Sequence, residues 1–106
     1  MTTHTLTNEH NGNEIEVSKG DILKITLKSN QTTGFKWEVA EVDGAIFEQQ
    51  RSEYIAPNTN LVGAGGVHEF EYKVIGESGS HNLKLQYKRP WMQTTDTFFT
   101  LKTNLK

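Results

Sequence analysis

Strict alternation of apolar and polar residues, in short runs parted by polar turns, predicts an all-β chain: an immunoglobulin-like β-sandwich of two antiparallel sheets. Two further observations support that class. No segment carries an apolar stripe at helical spacing, and the runs recur at intervals that suit two packed sheets, with a small barrel as the runner-up. A length of 106 residues fits one domain, residues 1–106, around one core.

The elements follow in order. Residues 4–7 and 14–17 read as the first two strands, joined across Asn11-Gly12, the strongest short hairpin signal in the chain. Leu23, Ile25 and Leu27 alternate with Lys24, Thr26 and Lys28, which marks a half-buried strand. Phe35, Trp37 and Val39 alternate with Lys36 and Glu38 in the next. A weaker strand is expected around 46–50, running irregularly toward Tyr54. Phe70, Tyr72 and Val74 point inward against Glu69, Glu71 and Lys73, as do Leu83, Leu85 and Tyr87 against Lys84, Gln86 and Lys88. Phe99 and Leu101 belong to the last strand, which closes near Leu105. Loops of a sandwich alternate between its two ends, so the connections 29–34, 56–66 and 89–96 are expected to gather at one of them.

Composition narrows the function. A net charge of −2, with Lys and Arg scattered singly, offers no clustered basic face for nucleic acid. Without cysteine there is no disulfide framework and no thiolate metal site. No apolar stretch reaches the length of a membrane span, so no membrane partner is expected. Met1-Thr2-Thr3-His4 lacks the basic and apolar regions of a signal peptide, so a cytoplasmic location is expected over a secreted or lysosomal one.

Catalysis finds no constellation. His4 and His10 fall in a terminal strand and a polar turn, where solvent exposure is expected. His68 reads as a partly buried, hydrogen-bonded strand residue, and His81 lies in a turn with Gly79 and Ser80. None has the spacing of a zinc site. The pairs Glu14/Glu16 and Glu69/Glu71 each share one solvent face instead of facing each other across a cleft. Gly63-Ala64-Gly65-Gly66 opens no helix after a strand and so cradles no phosphate. We expect no enzyme, no metal and no cofactor.

What is unusual lies in the three loops. In the first, Asn30 and Gly34 are turn formers, and between Gln31 and Gly34 stand Thr32 and Thr33, stiff at χ1, a rigid tip for a narrow cleft. An ordinary turn with threonine filler is the plainer alternative. The second loop is long and ends in Gly63-Ala64-Gly65-Gly66, whose bare backbone can approach another chain closely or serve as a mere linker. The third holds Arg89-Pro90-Trp91-Met92, where Trp and Arg are typical interface anchors and Pro lowers the entropy lost on binding. Arg89 stacked on Trp91 as a self-contained cap is the plainer alternative here.

Together these loops resemble the chagasin family of cysteine protease inhibitors. The family pattern is an Asn-Pro-Thr-Thr-Gly-Phe type loop, a Gly-x-Gly-Gly loop and an Arg-Pro-Trp loop, in that order. Here they stand as Asn30-Gln31-Thr32-Thr33-Gly34-Phe35, Gly63-Ala64-Gly65-Gly66 and Arg89-Pro90-Trp91, with Trp37, Phe70 and Tyr87 as similar companions. The resemblance spans roughly residues 15 to 105. Gln31 replaces the usual Pro, and Met92 stands where an acidic residue is common.

The resemblance implies an immunoglobulin-like fold and reversible, tight inhibition of papain-like cysteine proteases; a monomer making one-to-one complexes is the default expectation. The resemblance places Thr32 and Thr33 nearest the enzyme's cysteine and histidine, with the other two loops flanking along the cleft. Residue physics alone stops at a loop-bearing binding sandwich, so a glycan- or peptide-binding module remains the alternative, and an inert structural domain the third. Asn30-Gln31-Thr32 is also a glycosylation acceptor, and a glycan there would bar entry to a cleft.

Overall fold

Alternation fixes which face of each strand is buried, and the computed structural model, described over residues 2–29, 34–56 and 65–106, follows it closely. Among the described residues the strands are β1 (Thr3–Thr7), β2 (Glu14–Val17), β3 (Ile22–Ser29), β4 (Lys36–Glu41), β5 (Phe47–Ile55), β6 (Gly66–Val74), β7 (Gly79–Lys88) and β8 (Phe98–Leu105). They form two four-stranded sheets, ordered β1-β3-β6-β5 and β2-β8-β7-β4. One inner face contributes Leu23, Ile25, Leu27, Phe70, Tyr72 and Val74, and the other Leu83, Leu85, Phe99, Leu101 and Leu105, all buried in one cluster. The sandwich is as expected.

Several local expectations are corrected. Asn11-Gly12 closes no hairpin: β1 runs parallel to β3 in one sheet and β2 runs parallel to β8 in the other, so each sheet is mixed at that edge. Asn8–His10 forms a 3₁₀ turn, and the Asn-Gly pair docks on β8, with Gly12 N donating to Thr100 O at 2.7 Å and Thr100 N to Asn11 Oδ1 at 2.8 Å. Leu6 and Val17 thereby bury in opposite sheets, which a hairpin would have prevented. Val39 is 42% exposed, because β4 is an edge strand with an irregularity after Val39, and of its residues only Trp37 is buried.

His4 is another. It is half-buried, not solvent-exposed, and its Nε2 lies 2.9 Å from Asp21 Oδ2. Asp21, itself buried, also accepts from Thr2 N and Ser18 N at 3.0 Å each, so one carboxylate ties the start of β1 to the turn before β3. Burial pushes the Asp21 pKa up, but the hydrogen bonds from His4, Ser18 and Thr2 outweigh it and hold the carboxyl below its ordinary value. His10 is likewise half-buried, its Nδ1 accepting from Thr7 N at 3.0 Å across the 3₁₀ turn.

Candidate functional site

Register decides where the loops leave the sandwich. Ser29 opposite Gly66 and Ile55 opposite Val67 bring together the ends of β3 and β5 and the start of β6. Lys36 opposite Lys88 and Gln86 opposite Phe98 do the same for β4, β7 and β8. Trp37 Nε1 donates to Lys28 O at 2.9 Å and joins the two groups. All three loops therefore depart from one end. Asn30, Gln31, Thr32, Thr33, Gly63 and Ala64 lie outside the described residues; Gly34, Phe35, Gly65, Gly66, Arg89, Pro90 and Trp91 lie within them.

An aromatic stack supports this end. Tyr87 packs between Phe35 and Trp37, with ring centroids at 5.1 Å and 4.9 Å. The Arg89 guanidinium continues it, 4.9 Å from the Phe35 ring and 5.6 Å from that of Trp91. Such cation–π contacts contribute about 0.5–1 kcal/mol each where exposed. Trp91 nonetheless remains 72% exposed. The Arg89–Trp91 contact is real, yet it does not bury the indole, so it is no self-contained cap.

The third loop has a defined backbone. Met92 N donates to Arg89 O at 3.0 Å, closing a four-residue turn with Pro90 in its second place, where a fixed φ is favoured. Lys88 Nζ donates to Met92 O at 2.8 Å, and Thr95 Oγ1 donates to Tyr87 O at 2.8 Å. Gly34 takes φ 83°, the left-handed region suited to glycine, and a Cβ there would meet Trp91 Cη2 at 3.5 Å. The foot of the first loop is thus seated against the third.

The second loop ends in a tight approach. A Cβ on Gly66 would run into the Ile55 carbonyl oxygen and lie 2.8 Å from the Tyr54 hydroxyl. Between these loop feet is an open cleft of about 570 Å³ lined by Lys28, Ser29, Gly65, Gly66, Val67 and Tyr87. His68, behind it, stacks on Phe70 at 4.3 Å and shares a 2.9 Å hydrogen bond with Ser52 Oγ, the partly buried role expected of it. Burial lowers its pKa, and the negative charge of Glu53 opposes the shift.

Among the described residues no cluster of three His, Asp or Glu could hold a metal ion. What this end presents is an exposed indole, a guanidinium and bare backbone on a braced scaffold, which suits binding. Sequence reasoning named the residues of the surface but missed Lys88, Glu38 and Thr95, which brace it; as outward strand or loop residues of common type they carry no signal of their own.

Residues 16–103 match the model of the Chagasin family peptidase inhibitor I42. Chagasin from Trypanosoma cruzi is 34% identical over 93 residues, covering 84% of each protein. The crystal structure of the cysteine protease inhibitor EhICP2 from Entamoeba histolytica shares the fold, with a TM-score of 0.84 at 24% identity over 100% of this chain and 97% of that one. PbICP-C, solved in complex with falcipain-2, shares it too, with a TM-score of 0.72 at 16% identity over 99% and 92% of the two chains.

Proposed function

The chain belongs to the chagasin family of peptidase inhibitors, and from that premise we propose that it blocks papain-like cysteine proteases by filling their active-site cleft with three loops. Members of this family are inhibitors of cysteine proteases and not enzymes. The observation that carries the loop reading is Trp91, 72% exposed yet held by Arg89 and seated on Gly34. An indole of that size in water is an interface anchor waiting for its pocket.

In this reading Thr32 and Thr33 enter the catalytic centre, while Gly63–Gly66 and Arg89–Trp91 line the cleft on either side. Inhibition is occlusion, with no acyl intermediate, and a monomer engages one protease. PbICP-C, which shares the fold, is solved in complex with falcipain-2, and this supports a protease as the partner. A glycan on Asn30 would block entry, so the working protein is cytosolic or unmodified there. Intact mass of inhibitory protein from its native source tests this, and full occupancy of Asn30 would sink it.

Titration against papain tests the function itself, and failure to inhibit several papain-like enzymes at micromolar concentration would count against it. Trp91→Ala is expected to raise the inhibition constant at least about tenfold, the range of an interface anchor. Its unfolding midpoint should stay where it was. Loss of the fold instead would make Trp91 a structural residue.

A further inference from the structure

Lys88 carries a role that its type and position do not advertise. It ends β7, on the outward face, directly opposite Lys36 of β4. Like charges directly opposite one another are unfavourable, and a lysine there would ordinarily extend into water. Its side chain is instead only 13% exposed. The ammonium folds back beneath the third loop, 2.8 Å from Met92 O and 3.5 Å from Glu38 Oε1. Glu38 is itself held, accepting from Gln86 Nε2 at 2.6 Å.

Met92 is the residue that closes the Arg89–Met92 turn, its N donating to Arg89 O at 3.0 Å. Its carbonyl in turn accepts from the Lys88 ammonium at 2.8 Å. Trp91 is thereby fixed on both sides, by the ring of Pro90 before it and by the anchored Met92 after it. We propose that Lys88 is a positioning residue for Trp91: its ammonium, steadied by Glu38, holds the third loop in the conformation that meets the protease before the protease arrives. This rests on the reading of Trp91 as a protease contact.

The consequence is kinetic. A residue that selects the competent loop conformation, without touching the enzyme, scales the competent fraction of free inhibitor. Its loss slows association and leaves dissociation alone, whereas loss of a contact residue shows mainly in dissociation.

The test measures both rate constants against papain for Lys88→Met, which keeps the stem and removes the charge and donors. Association is expected to slow about tenfold with dissociation unchanged, as befits one charge-assisted hydrogen bond. In the free protein, the order parameter of the Trp91 indole N–H, assigned by its absence in Trp91→Ala, should fall. Lys88→Arg should recover most of both, and Lys88→Met should add little in a Trp91→Ala background.

Unchanged association, an unchanged indole order parameter, a loss confined to dissociation, or full additivity with Trp91→Ala would each overturn the proposal. Should Lys88→Met fail to fold, Glu38→Gln is judged by the same two measurements. If Trp91→Ala leaves inhibition intact, the contact reading fails, and the indole order parameter alone still decides whether Lys88 positions the loop.

Discussion

Gly66→Ala should be the most damaging single-methyl change at the loop-bearing end. Gly66 does not need a left-handed backbone; it needs the absence of a side chain. A Cβ there would overlap the Ile55 carbonyl oxygen and approach the Tyr54 hydroxyl and Cζ to 2.8 and 3.0 Å. The tyrosine ring can swing aside, but the carbonyl belongs to β5, whose Ile55 pairs with Val67, the next residue of β6. Relief therefore means parting the β5 and β6 ends, and Ser29 opposite Gly66 carries the disturbance into β3.

Forced overpacking of this kind costs about 1–3 kcal/mol. At about 4–8 °C per kcal/mol for a domain near this size, the midpoint should fall by roughly 5–20 °C. Thermal unfolding by circular dichroism reads the fold, and the inhibition constant for papain reads the site, since Gly66 at the end of the second loop pairs with Ser29 at the start of the first. Gly44→Ala is the control, with nothing within 4 Å of its Cβ and an ordinary backbone, and should stay within about 0.5 kcal/mol of the parent. If Gly66→Ala melts with that control and inhibits as well as the parent, the steric account is wrong.

Two predictions concern pH. Asp21 is held below its ordinary value of 3.8, so its contribution is present above that pH and is lost as pH falls through the lower folded-state value. Asp21→Asn should cost about 1–3 kcal/mol in urea unfolding at neutral pH, and the gap should close in strong acid; a gap that persists there would show that charge is not the cause. Burial pushes the Tyr72 phenol up to about 12, with its hydroxyl donating to Gln49 Oε1 at 3.1 Å. The folded state thus favours the neutral phenol: this contribution is intact below pH 10 and lost between 10 and about 12. The phenolate absorbance missing from Tyr72→Phe should have its midpoint near the upper limit, and a midpoint near 10 would contradict the burial.

Alternation made most of the core legible, because which face a strand residue occupies is a local property of the pleat. Leu23, Ile25, Leu27, Phe70, Tyr72, Val74, Leu83, Leu85, Phe99 and Leu101 are all buried as their spacing requires. Partner choice is not local. Asn11-Gly12 is a sound turn signal and does turn the chain, but β1 and β2 each bring one buried apolar residue, Leu6 and Val17. Two such strands gain little from each other and much from β3 and β8, which bury them in opposite sheets. Val39 fails for a related reason, since alternation continues past the point where an edge strand still faces the other sheet.

The site divides along the same line. Trp91 stands out in the sequence because a large indole beside a proline has no obvious place in a core, and at 72% exposure it has none. The residues that hold it stay silent for the opposite reason. Lys88, Glu38 and Thr95 satisfy their polar groups within the fold and break no rule of composition or pattern. Even two of the loop glycines differ in cause: Gly34 is required by its φ of 83° and Gly66 by the nearness of another backbone. A side chain at Gly34 would meet Trp91 only at ordinary contact distance, so substitution there acts through the backbone, whereas at Gly66 it acts through the neighbour. A motif read from sequence thus marks where small residues are needed, while the reason for each, and so the remedy for each defect, comes from what the fold brings alongside.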